Sequence, residues 1–139
     1  MSIQSIQVYR SKVEKIIRYG GSHNESALRK PFQELLDVYA QGKGLMLVSE
    51  VEYNTPGGKQ LRPDGTLKDA LRQDWGYWES KDEKDDLEAE IVAKFNKGYP
   101  DFNILFEDTH TAVLYQGGVR VQTASFDDAL ALDHLLAAW

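Results

Sequence analysis

Pro63-Asp64 is followed fifteen residues later by Glu79-Ser80-Lys81, and this set of two carboxylates and one ammonium is the part of the chain with a definite chemistry attached. Two acids can hold a hard divalent cation such as Mg²⁺, which takes oxygen ligands and keeps several of its waters. A lysine beside them can position or polarise an attacking water and offset charge that builds on a phosphate. Phosphodiester hydrolysis needs all three services.

Spacing narrows the choice of residues. In a strand, side chains alternate between faces, so Glu79 and Lys81 share a face while Ser80 points away and leaves its backbone carbonyl as a further oxygen ligand. An acid two residues before a lysine is weak evidence alone, because a chain this charged yields on the order of one such pair by chance. Asp82-Glu83-Lys84 also fits the pattern, but it lies in a run of charges where its side chains are solvated. A second Pro-Asp pair, Pro100-Asp101, has no lysine behind it, since none occurs after Lys97. Glu50 is a further candidate acid, ranked lower because Glu50 and Glu52 alternate with Val51 as solvent-facing strand residues would.

The elements that must position this set can be read from periodicity. Ile3, Ile6, Tyr9, Val13, Ile16 and Ile17 recur at helical spacing up to Gly20-Gly21. A second helix opens on the capping box Ser22 to Glu25 and runs to Gly42, with Pro31 predicting a kink or short break. Leu45 to Tyr53 is expected as one strand and 54–60 as a loop or hairpin turn. Residues 66–74 carry no clear signal, and Trp75 to Trp78 form a short aromatic strand that presents Glu79. A helix carrying Leu87, Ile91 and Phe95 ends at Gly98, strands follow at 103–106, 111–116 and 119–123, and a last helix opens at Ser125. The order α, α, β, β, β, α, β, β, β, α predicts one α/β or α+β domain, a central mixed sheet flanked by helices.

Composition sets the outer bounds. At 139 residues and 42% hydrophobic content the chain is one domain with a core. The formal charge of −6 argues against a basic nucleic-acid-binding domain, yet it is local: residues 79–90 hold seven acids and two lysines, and the other 127 carry only −1. Cysteine is absent, which removes disulfides, thiolate zinc sites and a cysteine nucleophile. No apolar run reaches the length of a signal peptide or a membrane span, so a cytoplasmic protein is expected. The chain stops at Trp139 inside an apolar helical pattern, as a fragment of something longer would.

The Asp64, Glu79, Lys81 arrangement resembles the PD-(D/E)xK nuclease superfamily. The surrounding segments are more specific: Glu25-Ser26-Ala27-Leu28-Arg29 with Phe32 and Leu35-Leu36, LRPDG, GYWESKD, and KFNKGYPDFNILFED from Lys94 to Asp108. Together, from Glu25 to Tyr115, they resemble the N-terminal nuclease domain of type ISP single-polypeptide restriction-modification enzymes. The resemblance implies a restriction-endonuclease-like core and a Mg²⁺-dependent DNA endonuclease, with Mn²⁺ as a substitute. Asp64 and Glu79 would be metal ligands, joined by the Ser80 carbonyl, and Lys81 would serve the attacking water. It further implies that residues 1–139 are an excised nuclease domain whose parent carries a helicase-like ATPase, a methyltransferase and a target-recognition domain. Those parts would supply most of the affinity for double-stranded DNA, and the domain alone should bind DNA poorly. Glu25 matches a place where many members put an additional metal-binding acid, and it also completes the capping box. Some branches carry a glutamine and a tyrosine on the helix after the lysine, whereas this helix offers Lys94, Lys97 and Tyr99 without that pair.

Plainer roles compete for other residues. His23, His110 and His134 share no metal spacing and suit surface or capping duties. Trp75, Tyr77 and Trp78 could stack bases, but their strand makes core packing the better expectation. Gly42-Lys43-Gly44 and Gly57-Gly58 do not make a phosphate-binding loop. The acidic helix from Asp85 to Glu90 is expected as a solvated face whose nearness to the active strand is incidental. Site chemistry alone does not separate DNA from RNA as substrate, and a non-catalytic module that keeps the nuclease fold for docking or DNA positioning is the alternative from another class.

Overall fold

A computed structural model describes residues 3–21 and 25–139, with only the backbone of Glu25 and Ser26. The elements in chain order are α1 (Ile3–Gly20), α2 (Glu25–Gly42), β1 (Met46–Ser49), β2 (Tyr53–Asn54), β3 (Gln60–Leu61), β4 (Gly65–Lys68), β5 (Asp74–Ser80), α3 (Leu87–Lys97), β6 (Asn103–Glu107), β7 (Thr111–Gln116), β8 (Val119–Ser125) and α4 (Ala129–Ala138). Six strands form a mixed sheet in the order β1-β4-β5-β6-β7-β8, and β2-β3 is a separate hairpin. Only β5 and β6 run parallel, joined across α3, while the other neighbours are antiparallel. The expected α+β class with a central mixed sheet flanked by helices is what the chain adopts.

Alternation along β5 and β6 divides the core in two. Trp78 and Leu105 pack with Ile6, Tyr9, Phe32, Leu36, Leu132 and Leu136 from α1, α2 and α4 on one face. Tyr77, Ile104 and Phe106 pack with Leu87 and Ile91 of α3 and with Tyr53 and Leu61 of the hairpin on the other. Both strands are therefore buried on both sides, which is why their sequences read as nearly continuous apolar runs. Trp139 belongs to the first core, its indole N–H donating to the Tyr77 carbonyl at 3.0 Å. Among the described residues, no helix is long and apolar enough to cross a membrane.

Four local expectations are corrected, the first being the last helix: Ser125 ends β8, and α4 opens at Ala129 behind its N-cap Asp128. The strand expected over Leu45 to Tyr53 stops at Ser49, because Glu50 takes a left-handed conformation (φ 52°) that turns the chain out of the sheet. Tyr53-Asn54 then pairs with Gln60-Leu61 around a turn closed by the Thr55 N–H on the Lys59 carbonyl at 2.8 Å. Gly65–Lys68, which overlaps the 66–74 segment that lacked a signal, is a full sheet strand, its pattern hidden by its own glycine and lysine ends. Pro31 does not break α2: in the second turn it forfeits one helical bond, and the burial of Leu28, Phe32, Leu35 and Leu36 along one stripe holds the helix together. The Ser22 half of the capping box and His23 lie outside the described residues.

Gly65, the residue after Asp64, is demanded by close approach. A Cβ there would sit 2.7 Å from Leu47 Cδ1 and 2.9 Å from Trp78 Cε3. Gly65→Ala should therefore cost roughly 1–3 kcal/mol in urea unfolding by overpacking. Gly57→Ala, whose nearest neighbour is Thr55 Oγ1 at 3.8 Å, is the reference substitution. Equal stability of the two variants would contradict the β1-β4-β5 packing.

Candidate functional site

Asp64 lies just before β4 and Glu79 one residue before the end of β5, and the antiparallel pairing of Gly65 with Trp78 brings them together. The contact is reciprocal. The Asp64 N–H donates to Glu79 Oε1 at 3.1 Å, and the Ser80 N–H donates to Asp64 Oδ2 at 2.7 Å. Two carboxylates are thus fixed against each other by each other's strand. They sit at the carboxyl end of the parallel β5-β6 pair, where open α/β sheets commonly place their ligands.

Each acid meets a cation from a helix. Arg29 Nη1 of α2 lies 3.4 Å from Asp64 Oδ1, and Lys94 Nζ of α3 lies 2.9 Å from Glu79 Oε2. The Glu79 side chain is 6% exposed, and its carboxyl is pushed upward by burial first and by the Asp64 charge second, with Lys94 opposing. Burial is the largest single influence on Lys94 and lowers it, but the hydrogen bonds and charge attraction of Glu79 and Tyr99 together raise it. Lys94 also reaches the Tyr99 hydroxyl at 3.4 Å and lies 4.9 Å from the centre of the Tyr99 ring.

Lys81 continues the ladder past β5, its N–H donating to the Glu107 carbonyl at 2.8 Å. Its side chain turns to the α3 face, as does that of Glu79, and Nζ pairs with Glu90 Oε2 at 3.0 Å. The acidic stretch expected to be a bystander is therefore corrected: Glu90 holds the candidate lysine. It can do so because Asp86 caps α3, accepting from the Glu88 and Ala89 N–H groups, and fixes where its first turn lies. Glu88 is clasped by Arg120 of β8, which ties that turn to the far edge of the sheet.

Ser80 points to the opposite face. Its hydroxyl donates to Glu107 Oε1 at 3.3 Å, and the same oxygen accepts the Thr109 N–H at 3.2 Å. Glu107 is buried, and burial lifts its carboxyl to about 8 against the opposing effect of these bonds. Glu107 thus supports the end of β5 twice, through the Ser80 side chain and the Lys81 backbone.

Of the residues singled out from sequence, Asp64, Glu79, Ser80 and Lys81 come together at the ends of β4 and β5. Glu25 is the first residue of α2, one turn before Arg29, and its side chain lies outside the described residues. Glu50 donates its backbone N–H to the Asp64 carbonyl at 3.3 Å while its side chain is exposed on a turn. Trp75 is half exposed, its indole N–H on Asp69 Oδ2 at 2.8 Å, so the core role expected for the three aromatics holds for Tyr77 and Trp78 alone. His110 pairs with Glu83 on the surface, in the ordinary role expected of it. Sequence reasoning missed Arg29, Glu90, Lys94 and Glu107. The Glu90 to Lys94 spacing on one helix face was the one available signal, whereas Glu107 looks like any acid that ends an apolar strand.

The donor set suits a hard cation. Among the described residues, no cluster of three or more histidine and acidic side chains could hold a metal; the strand ends bring together the two carboxylates of Asp64 and Glu79. That is the number Mg²⁺ ordinarily takes from a protein while retaining water. A buried acid and a half-buried one beside it also gain from a divalent charge between them.

No protein-family profile matches the chain, and no curated protein matches it. A solved structure does: 97% of this chain superposes on a chain of the cryoEM structure of a DrdV–DNA complex, with a TM-score of 0.93 and 50% sequence identity. The chain spans about 13% of that chain's length.

Glu107 generates a signed pH prediction. Its folded-state pKa is raised, so between about 4.5 and about 8 the folded protein keeps a proton that the unfolded chain releases, and its share of stability fades as pH rises through that window. Unfolding free energy in urea should fall by up to about 1.4 kcal/mol per pH unit more steeply in the wild type than in Glu107→Gln. Parallel curves would show that Glu107 does not hold a proton.

Proposed function

We propose that the chain is a Mg²⁺-dependent DNA endonuclease domain of the PD-(D/E)xK kind, Mn²⁺ being able to substitute. The observation that carries this reading is the reciprocal clamp between Asp64 and Glu79, with the Ser80 carbonyl and Lys81 immediately beyond. Asp64, Glu79 and the Ser80 carbonyl hold the cation. A cation held by these groups would supply Lewis-acid chemistry toward water and the phosphate charge. Lys81 orients the attacking water, and Glu90 keeps its ammonium on the α3 face until substrate arrives. DNA as the substrate is supported by the likeness to a chain from a DrdV–DNA complex, and by the segments that resemble type ISP enzymes.

The 13% share of that neighbour's length supports a second part of the reading, that this domain works within a longer polypeptide. Such a polypeptide would carry the helicase-like ATPase, methyltransferase and target-recognition parts, and would work in the cytoplasm. The net charge of −6 fits the same division of labour, because contacts to phosphate made by Lys and Arg dominate DNA affinity. A non-catalytic docking module is favoured by one observation: Arg29, Lys94 and Glu90 already partner Asp64, Glu79 and Lys81 within the fold.

Plasmid cleavage separates the two. With Mg²⁺ and the longer polypeptide, Asp64→Ala and Lys81→Ala should each reduce strand cutting by roughly 10²-fold or more. Cutting at the wild-type rate by both variants would overturn the assignment. No cutting by the wild type, in the long form or as the 139-residue chain, would favour the docking module.

A further inference from the structure

The two lysines of the site are cross-paired with two glutamates. Lys81 of the β5 end reaches Glu90 on α3, and Lys94, one turn further along α3, reaches back to Glu79 on β5. Glu90 and Lys94 stand at the i,i+4 spacing that favours an ion pair within a helix, yet each bonds across to the strand. The pairing therefore answers a demand from the strand. Glu79 is nearly fully buried beside a second acid, and with no counter-charge on Oε2 it would carry an uncompensated buried charge.

Each oxygen of Glu79 has one partner. Oε1 takes the Asp64 N–H, a bond that locks the clamp, so Oε2 is the oxygen through which a cation can be exchanged. Its present partner, Lys94, has another place to rest. The Tyr99 hydroxyl lies 3.4 Å from Nζ and the Tyr99 ring 4.9 Å away, both available without moving α3. A flexible four-carbon stem makes that shift a matter of side-chain rotation.

Resting on the metal-site reading above, we propose that Lys94 is a place-holding counter-ion for the divalent cation. It holds Glu79 Oε2 in place in the metal-free protein, and it yields that oxygen to the metal by withdrawing onto Tyr99. Lys94 is thus a positioning residue that sets how readily the site loads.

Titration of the chain with Mn²⁺ at pH 8, followed by calorimetry and by the Mn²⁺-induced rise in Tm, tests this without any cleavage. Wild type should bind Mn²⁺ in a manner lost in Asp64→Ala and Glu79→Gln. Lys94→Met should unfold at a lower temperature without metal, bind Mn²⁺ roughly fivefold more tightly, and gain more in Tm from it, because the competing ammonium is gone. Lys94→Arg, which keeps the charge and adds a fork suited to carboxylate, should bind Mn²⁺ more weakly than wild type. A Lys94 that only packs would lower the Tm of Lys94→Met and leave its Mn²⁺ affinity unchanged. That result, or tighter binding by Lys94→Arg, would overturn the proposal. Absence of Asp64- and Glu79-dependent binding in the wild type would remove the metal-site reading and the proposal with it.

Discussion

Two carboxylates that repel each other are held in contact at the end of the central strand, and the rest of the molecule is arranged around that constraint. Asp64 binds the backbone of the strand that carries Glu79, and Glu79 binds the backbone of Asp64. Neither bond survives a slip in register between β4 and β5. The register rests in turn on Gly65, whose missing side chain lets β4 lie against Leu47 and Trp78. A packing requirement in the core is thereby converted into the geometry of a charged site.

Charge balance explains what surrounds the clamp. Arg29 comes from α2, Lys94 and Glu90 from α3, and each neutralises a group that the sheet alone would leave exposed to repulsion or burial. The helix after the aromatic strand is thus part of the site, and its cap and its tie to Arg120 determine where Glu90 and Lys94 stand. Glu107, on the far face, supports the same strand end with a carboxyl that burial pushes upward.

Much of this was legible in the sequence because strong periodicity and residue chemistry agree. The four helices, β5 to β8, and the meeting of Asp64 with Glu79 all follow from patterns a reader can count. What escaped has physical causes. β4 hides behind a glycine that tertiary packing demands, and β1 ends early because Glu50 adopts a left-handed turn that side-chain alternation cannot reveal. Pro31 looked like a break, but core burial on one stripe of α2 outweighs a single lost bond. The roles of Lys94 and Glu90 were hidden because charge on a helix surface ordinarily faces water, and only the folded sheet shows that these two side chains face a buried acid and the candidate lysine.

The most direct test is anomalous diffraction from crystals of the chain grown with Mn²⁺. One peak should lie within ligand distance, about 2.0–2.4 Å, of both Asp64 and Glu79, with Lys94 Nζ withdrawn from Glu79 Oε2 onto Tyr99. Crystals at saturating Mn²⁺ with no peak between the two acids, and with Lys94 still bonded to Glu79, would contradict the account.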